Sequence, residues 1–170
     1  MKGRFSCFVQ ALRCRVSPQW ARLRKTPPAT GDIMQGMKTK HTLELSDVKK
    51  IAAAAEAEAL RNQWAVSIAI VDDGGHLLWL QRLDGAAAIS SYIGPAKART
   101  AALGRRETKV YEDIINQGRT AFLSAPEIEG MLEGGVPILK DGQVIGAVGV
   151  SGVKSPEDAQ IARAGIAALG

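Results

Sequence analysis

Histidine and cysteine are scarce in this chain of 170 residues, with two of each. Both cysteines, Cys7 and Cys14, fall near the amino terminus, so the remainder holds no thiol for a CxxC motif or a thiolate metal cage. The oxidised and reduced compartments stay equally open. The histidines, His41 and His76, fit no HExxH motif, no facial triad and no Ser-His-acid spacing, which disfavours hydrolytic metal sites and a catalytic triad. No apolar run approaches the roughly 20 residues needed to cross a bilayer, so a membrane span is not expected. The phosphate loop GxxxxGKS/T is missing, and the glycines have the wrong spacing for a dinucleotide fingerprint.

Lysine and arginine number 22 against 17 aspartate and glutamate, giving a net charge of +5. The excess is local. Residues 1–36 hold seven basic side chains and one acid, Asp32, whereas residues 37–170 carry 15 basic against 16 acidic. A near-neutral body lacks the built-in basic patch that phosphate-backbone recognition needs, so no nucleic-acid partner is expected. Residues 1–36 are arginine-rich, broken by Pro18, Pro27 and Pro28, and show no repeating apolar face; they are expected to be disordered. They make a poor secretory signal, because Phe5 to Leu12 is short, is interrupted by Ser6 and Gln10, and is followed by Arg13 and Arg15. An organelle presequence is one reading, and a start placed too early, with Met37 the true beginning, is the preferred one. Residues 37–170 suit a single domain with one core.

Val48, Ile51, Ala52, Ala55 and Ala59 recur at three- and four-residue steps, which predicts an amphipathic helix capped by Ser46 and running to about Asn62. Trp64 to Val71 and His76 to Leu83 flank the turn cluster Asp72-Asp73-Gly74-Gly75 and predict a β-hairpin. Its expected register sets Val71 opposite His76, Ile70 opposite Leu77 and Ile68 opposite Trp79. Val66, Ile68, Ile70, Leu77 and Trp79 then share one face, and Ser67, Ala69, Val71, Leu78, Leu80 and Arg82 the other. Both faces are largely apolar, so both need cover from helices or another subunit. A helix follows, with Pro95 near its first turn and its end near Gly104, and another spans Thr108 to Asn116. Val136 to Lys140 and Gln143 to Val150 meet across Asp141-Gly142, a type I′ hairpin signal, and Pro137 marks an edge strand or an irregularity. Ser155-Pro156-Glu157-Asp158, with Ser155 as the capping hydroxyl, opens a last helix to about Leu169. Hairpins among helices make an α+β fold with an antiparallel sheet.

Gly146, Gly149 and Gly152 sit within or beside a strand, where glycine weakens packing. They admit either a closely approaching helix or a flat ligand, with Ser151 projecting beside Gly149. Lys97 and Thr100 share a helix face, where the lysine is either solvated or offered to a carboxylate. Arg82 and Asp84 can pair as a structural clamp, and Arg82 is also a fork for a carboxylate ligand. His76 reads as an exposed turn residue or a metal ligand, and Trp64 and Trp79 read as core.

Five ordered blocks together carry a resemblance. They are Asp72-x-Gly74-Gly75-x-Leu77; Arg82-x-Asp84-Gly85-Ala86; Lys97-Ala98-x-Thr100-Ala101; Gly134-Gly135-Val136-Pro137-Ile138; and Asp141-Gly142-x-Val144-Ile145-Gly146-Ala147-x-Gly149-Val150-Ser151-Gly152. From about Leu45 to Leu169 the chain resembles the GlcG/HbpS family. That resemblance implies a profilin-like antiparallel sheet with helices on both faces and a symmetric homo-oligomer. It also implies haem as cofactor, because family members bind haem and some are described as degrading it, while others sit in catabolic operons. The matching blocks contain no histidine shared with the signature, His76 occupying a variable position, so the resemblance names no axial iron ligand.

Two functions follow as expectations. The first is a cytoplasmic haem- or tetrapyrrole-binding protein acting in sequestration or turnover. Its ligand-binding set is Arg82, Lys97, Thr100, Gly135, Gly149 and Ser151, with His76 or Thr100 reaching iron. The second is an enzyme on a small carboxylate, or an accessory protein of a catabolic operon. Here Arg82 and Lys97 clamp the carboxylate and Asp84 moves a proton.

Overall fold

A computed structural model describes residues 38–170. The expected disorder of residues 1–36 lies outside the described residues. Two antiparallel hairpins interlock into one four-stranded sheet. Strands β1 (Ser67–Asp72), β2 (Leu77–Arg82), β3 (Gly135–Lys140) and β4 (Gln143–Ser151) take the order β2-β1-β4-β3. The second hairpin turns on Asp141 and Gly142, at φ of 49° and 76°, which is the pair of positive angles a two-residue turn requires. Pro137 lies in β3, an edge strand with an irregularity at Ile138/Leu139, so its missing donor breaks no central ladder.

Helix α1 (Leu45–Arg61) and helix α4 (Ser155–Ala167) cover one face of the sheet. There Val48 and Ile51 from α1 and Ile161 from α4 bury against Ile68, Ile70, Val136, Ile138, Val148 and Val150. The small-residue stripe of α1 meets Gly165 of α4, where an added Cβ would lie 3.1 Å from Ala55 Cβ. Helix α2 (Ser90–Gly104) covers the other face with alanines, setting Ala98, Ala101 and Ala102 on Ala69, Val71 and Ala147. Helix α3 (Thr108–Asn116) and a 3-10 turn at Thr120–Ser124 complete the order. Among the described residues no helix is long and apolar enough to cross a membrane.

The fold class and the helices on both faces are as expected, with corrections in detail. Glu44 rather than Ser46 caps α1, its N–H donating to the Asp47 carboxylate at 3.2 Å. Lys154 rather than Ser155 caps α4, with Glu157 accepting its N–H at 3.1 Å. α2 begins at Ser90, so Pro95 lies inside it and not in its first turn.

The first hairpin is two residues out of the expected register. Ile70 faces Trp79 and Ile68 faces Gln81, and an irregularity then sets Val71 against Leu77, leaving Leu78 unpaired. The cause is the turn. Asp72 accepts the backbone N–H groups of Gly74 at 2.9 Å and His76 at 2.8 Å, which locks a four-residue loop. A slip of two preserves side-chain faces, so Trp79, Leu80 and Arg82 lie on their expected sides, while the bulge moves Leu77 to the side of Val71.

Two outcomes follow. A Cβ on Gly149 would run into the Gly94 carbonyl oxygen and the Ala98 nitrogen and lie 2.9 Å from Ala98 Cα. Gly149→Ala must therefore lift α2, and urea denaturation should show a loss of about 1–3 kcal/mol or more. Burial pushes the Asp72 carboxyl up, but hydrogen bonds from His76 and Gly74 and the His76 charge outweigh it and hold the group below its ordinary range. Its stabilisation is present above the unfolded carboxylate value and is lost as pH falls through the lower native one. Asp72→Ala should flatten that acid limb of a stability-against-pH curve.

Candidate functional site

The residues singled out by sequence separate into a buried group under α2 and a row at the open end of the sheet. Lys97 belongs to the first group. It is 2% exposed, so it is neither a solvated lysine nor a cation offered to a ligand. Its ammonium donates to Asp158 Oδ2 at 2.7 Å and to the Val150 carbonyl at 3.1 Å. Asp158, itself 2% exposed, accepts the Val153 N–H on its other oxygen at 3.2 Å. Burial pushes the Asp158 carboxyl above its ordinary range against the downward pull of Lys97. Gly134 makes the niche possible. Its φ is 124°, and a Cβ there would lie 2.8 Å from Lys97 Nζ, from Asp158 Cβ and from the Val150 oxygen.

Thr100 is fully buried, and its hydroxyl accepts the Gly130 N–H at 3.1 Å, so its expected roles as ligand contact and iron ligand give way to anchoring a loop. Gly135 is also enclosed: a Cβ would lie 2.7 Å from Thr108 Cγ2 and 2.9 Å from the Lys97 carbonyl carbon. Gly149 is covered by α2, the close-approach alternative of the two that the glycine spacing left open. Sequence could not join Lys97 to Asp158 across 61 positions, and Asp158 read only as an acid at a helix start.

The second group lies level across three strands. Ser67 of β1 pairs with Arg82 of β2 on one side and with Ser151 of β4 on the other, so all three side chains share the α2 face. Ser67 Oγ meets Ser90 Oγ at 2.7 Å and Ser91 Oγ at 3.4 Å. Ser90 donates to the Ala87 carbonyl at 2.6 Å, so the short contact runs from Ser67 as donor to Ser90 as acceptor. Ser67 and Ser90 are at most 1% exposed and Ser151 is 7% exposed, whereas Arg82 is open to solvent. Among the described residues Arg82 makes no ion pair, with Asp84 or any other acid.

On the same side of β2, next to Arg82, α2 leaves the sheet uncovered. Leu80 is 43% and Leu77 52% exposed there. Asp84 lines a hollow of about 330 Å³ with Glu56, Leu60, Trp64 and Leu83, and among the described residues no lysine or arginine lines it. His76 is exposed at the turn, and its ring nitrogen Nδ1 lies 3.0 Å from Asp72 Oδ2. The structure thus sets Arg82 and Ser151 in one row, removes Lys97 from the carboxylate clamp, and gives Asp84 no cation to share a substrate with. Among the described residues no group of three or more His, Cys, Asp or Glu is placed to hold a metal ion.

Comparison with known proteins follows the same blocks. The profile described as "Haem degrading protein HbpS-like" matches residues 43–167. Protein GlcG of Escherichia coli is 60% identical over 115 residues, covering 68% of this chain and 85% of that protein. A double mutant of HbpS from Streptomyces reticuli superposes with a TM-score of 0.73 at 32% identity, covering 79% of this chain and 91% of that one. A PduOC:heme complex superposes with a TM-score of 0.67 at 29% identity, covering 75% of this chain and 95% of that one.

Removing one partner of the internal ion pair leaves a buried, unpaired charge. Lys97→Met should cost about 3–5 kcal/mol in chemical denaturation, and Lys97→Met with Asp158→Leu should recover most of it. A Lys97→Met protein with wild-type stability would show that the pair carries nothing.

Proposed function

Because this chain belongs to the HbpS-like family, we propose that it binds haem on the uncovered strip of β2, in sequestration or turnover. The observation that carries this reading is the strip itself: exposed Leu77 and Leu80 with Arg82, which makes no ion pair among the described residues, at one end. A flat, largely apolar macrocycle bearing carboxylates needs such a surface, since the ring gains from shedding water against aliphatic side chains and guanidinium is the matching fork for carboxylate. Ser151, in the same row, would serve a carboxylate oxygen. The hollow beside Asp84 fits less well, because its two carboxylates would repel the same groups. When bound, haem would supply the redox and oxygen chemistry of its iron, and His76 is the imidazole nearest the strip in sequence.

Hemin titration tests the reading. The wild-type Soret band should shift saturably at one haem per chain. Leu80→Glu and Arg82→Glu should each weaken binding about tenfold or more at unchanged melting temperature, as expected for exposed positions. His76→Ala should alter the spin-state bands if its imidazole reaches iron. Absence of any Soret shift at micromolar protein ends the proposal. Light scattering reports the competing occupant: if Leu80→Glu halves the particle mass and leaves haem affinity intact, the strip packs against a second copy of this chain.

A further inference from the structure

Four hydrogen bonds bracket the end of β4. Val150 donates its N–H to the Gly134 carbonyl at 3.0 Å and receives the Lys97 ammonium on its own carbonyl at 3.1 Å. Three residues on, the Val153 N–H reaches Asp158 Oδ1 at 3.2 Å, and Asp158 Oδ2 closes the loop on Lys97 at 2.7 Å. Ser151 and Gly152 are the two residues held between these anchors. Gly152 has a φ of 150°, and a Cβ there would lie 2.7 Å from Val66 Cα, so the chain at this point is pressed against the start of β1. Ser151 is thereby kept opposite Ser67, and Ser67 opposite Arg82.

We infer that the Lys97–Asp158 pair positions the ligand row: it fixes the segment that carries Ser151, and Lys97 acts on ligand affinity through Ser151 although it never meets the ligand. This rests on the haem reading, and it assigns the buried lysine a part distinct from stability. Rotation of the Ser151 segment by even a fraction of an ångström changes the hydrogen bond Ser151 offers, whereas Arg82, on a strand the pair does not touch, keeps its place.

A double-mutant cycle read by hemin titration tests the coupling, with each protein shown to be folded by circular dichroism at the titration temperature. Ser151→Ala should weaken binding by about three- to tenfold, the worth of one hydrogen bond. Lys97→Met should weaken it comparably in the Ser151 protein and by less than twofold in the Ser151→Ala background. Lys97→Arg, which keeps the charge, replaces Lys97→Met if the latter fails to fold; it should show the same pattern at smaller size, with faster amide exchange at Gly152 and Val153. A folded lysine variant that binds like wild type, or one whose loss persists in full without the Ser151 hydroxyl, overturns the inference. If Ser151→Ala binds normally while Arg82→Glu does not, the coupling through Ser151 is likewise overturned and the haem site stands. If neither variant changes binding, the haem site itself is misplaced.

Discussion

The depth to which α2 settles onto the sheet governs the rest of the molecule. At Gly149 the strand offers bare backbone, and the helix fits so closely that its Gly94 oxygen and Ala98 nitrogen take the space a methyl group would need. Only small side chains fit between the two layers, hence Ala69, Val71 and Ala147 below and Ala98, Ala101 and Ala102 above. The opposite face is thicker, filled by Ile68, Ile70, Val148 and Val150 against α1 and α4. Two unlike faces arise from one alternating strand pattern because Ala147-Val148-Gly149-Val150 of β4 sets valine on one face and alanine or glycine on the other.

That close seating decides the fate of the two cations. Lys97 lies on a part of α2 pressed into the sheet, so a long polar side chain has nowhere to go but around the strand end. There a carboxylate from α4, a carbonyl from β4 and the space left by Gly134 receive it. A buried ammonium without those partners would be very costly, and with them the pair ties together helices on opposite faces of the sheet. Arg82 sits at the end of β2, an edge strand, and stays in water. Leu77 and Leu80 of the same strand stay half-exposed, outside the alanine seam under α2. Burial of one cation and exposure of the other are two effects of one contact.

Much of this was legible in the sequence, for identifiable reasons. The Asp141-Gly142 turn, the limits of α3 and the need for cover on both faces come from local chemistry, which spacing of a few residues records. The register of the first hairpin was not legible, since it depends on the Asp72 carboxylate gathering the amides of Gly74 and His76 rather than on strand composition. The same limit applied to the site. Sequence singles out Arg82 because it stands at a strand end near Asp84, and Ser151 because it follows the glycine-spaced strand beside Gly149. Lys97 was assigned to a ligand because its real partner is 61 positions away, and Ser67 was missed because serine on an apolar strand gives no signal until Ser90 and Ser91 are seen above it.

The thin face is also the one suited to a ligand. Large aliphatic side chains fill the α1 and α4 side, and the hollow at its edge is lined by the carboxylates of Glu56 and Asp84. On the α2 side, a helix kept close by alanine and glycine begins at a row of serines, beside half-exposed leucines and the Arg82 guanidinium, which makes no ion pair among the described residues. Polar groups at one end and aliphatic surface along the other match a planar molecule that is greasy in its body and charged at its rim. A larger residue at Ala147 or Gly149 would raise the helix, free Lys97 from its niche and disturb the row at Ser151 together. On this account the packing of α2 and the arrangement of the proposed ligand row are not separable features of the sequence.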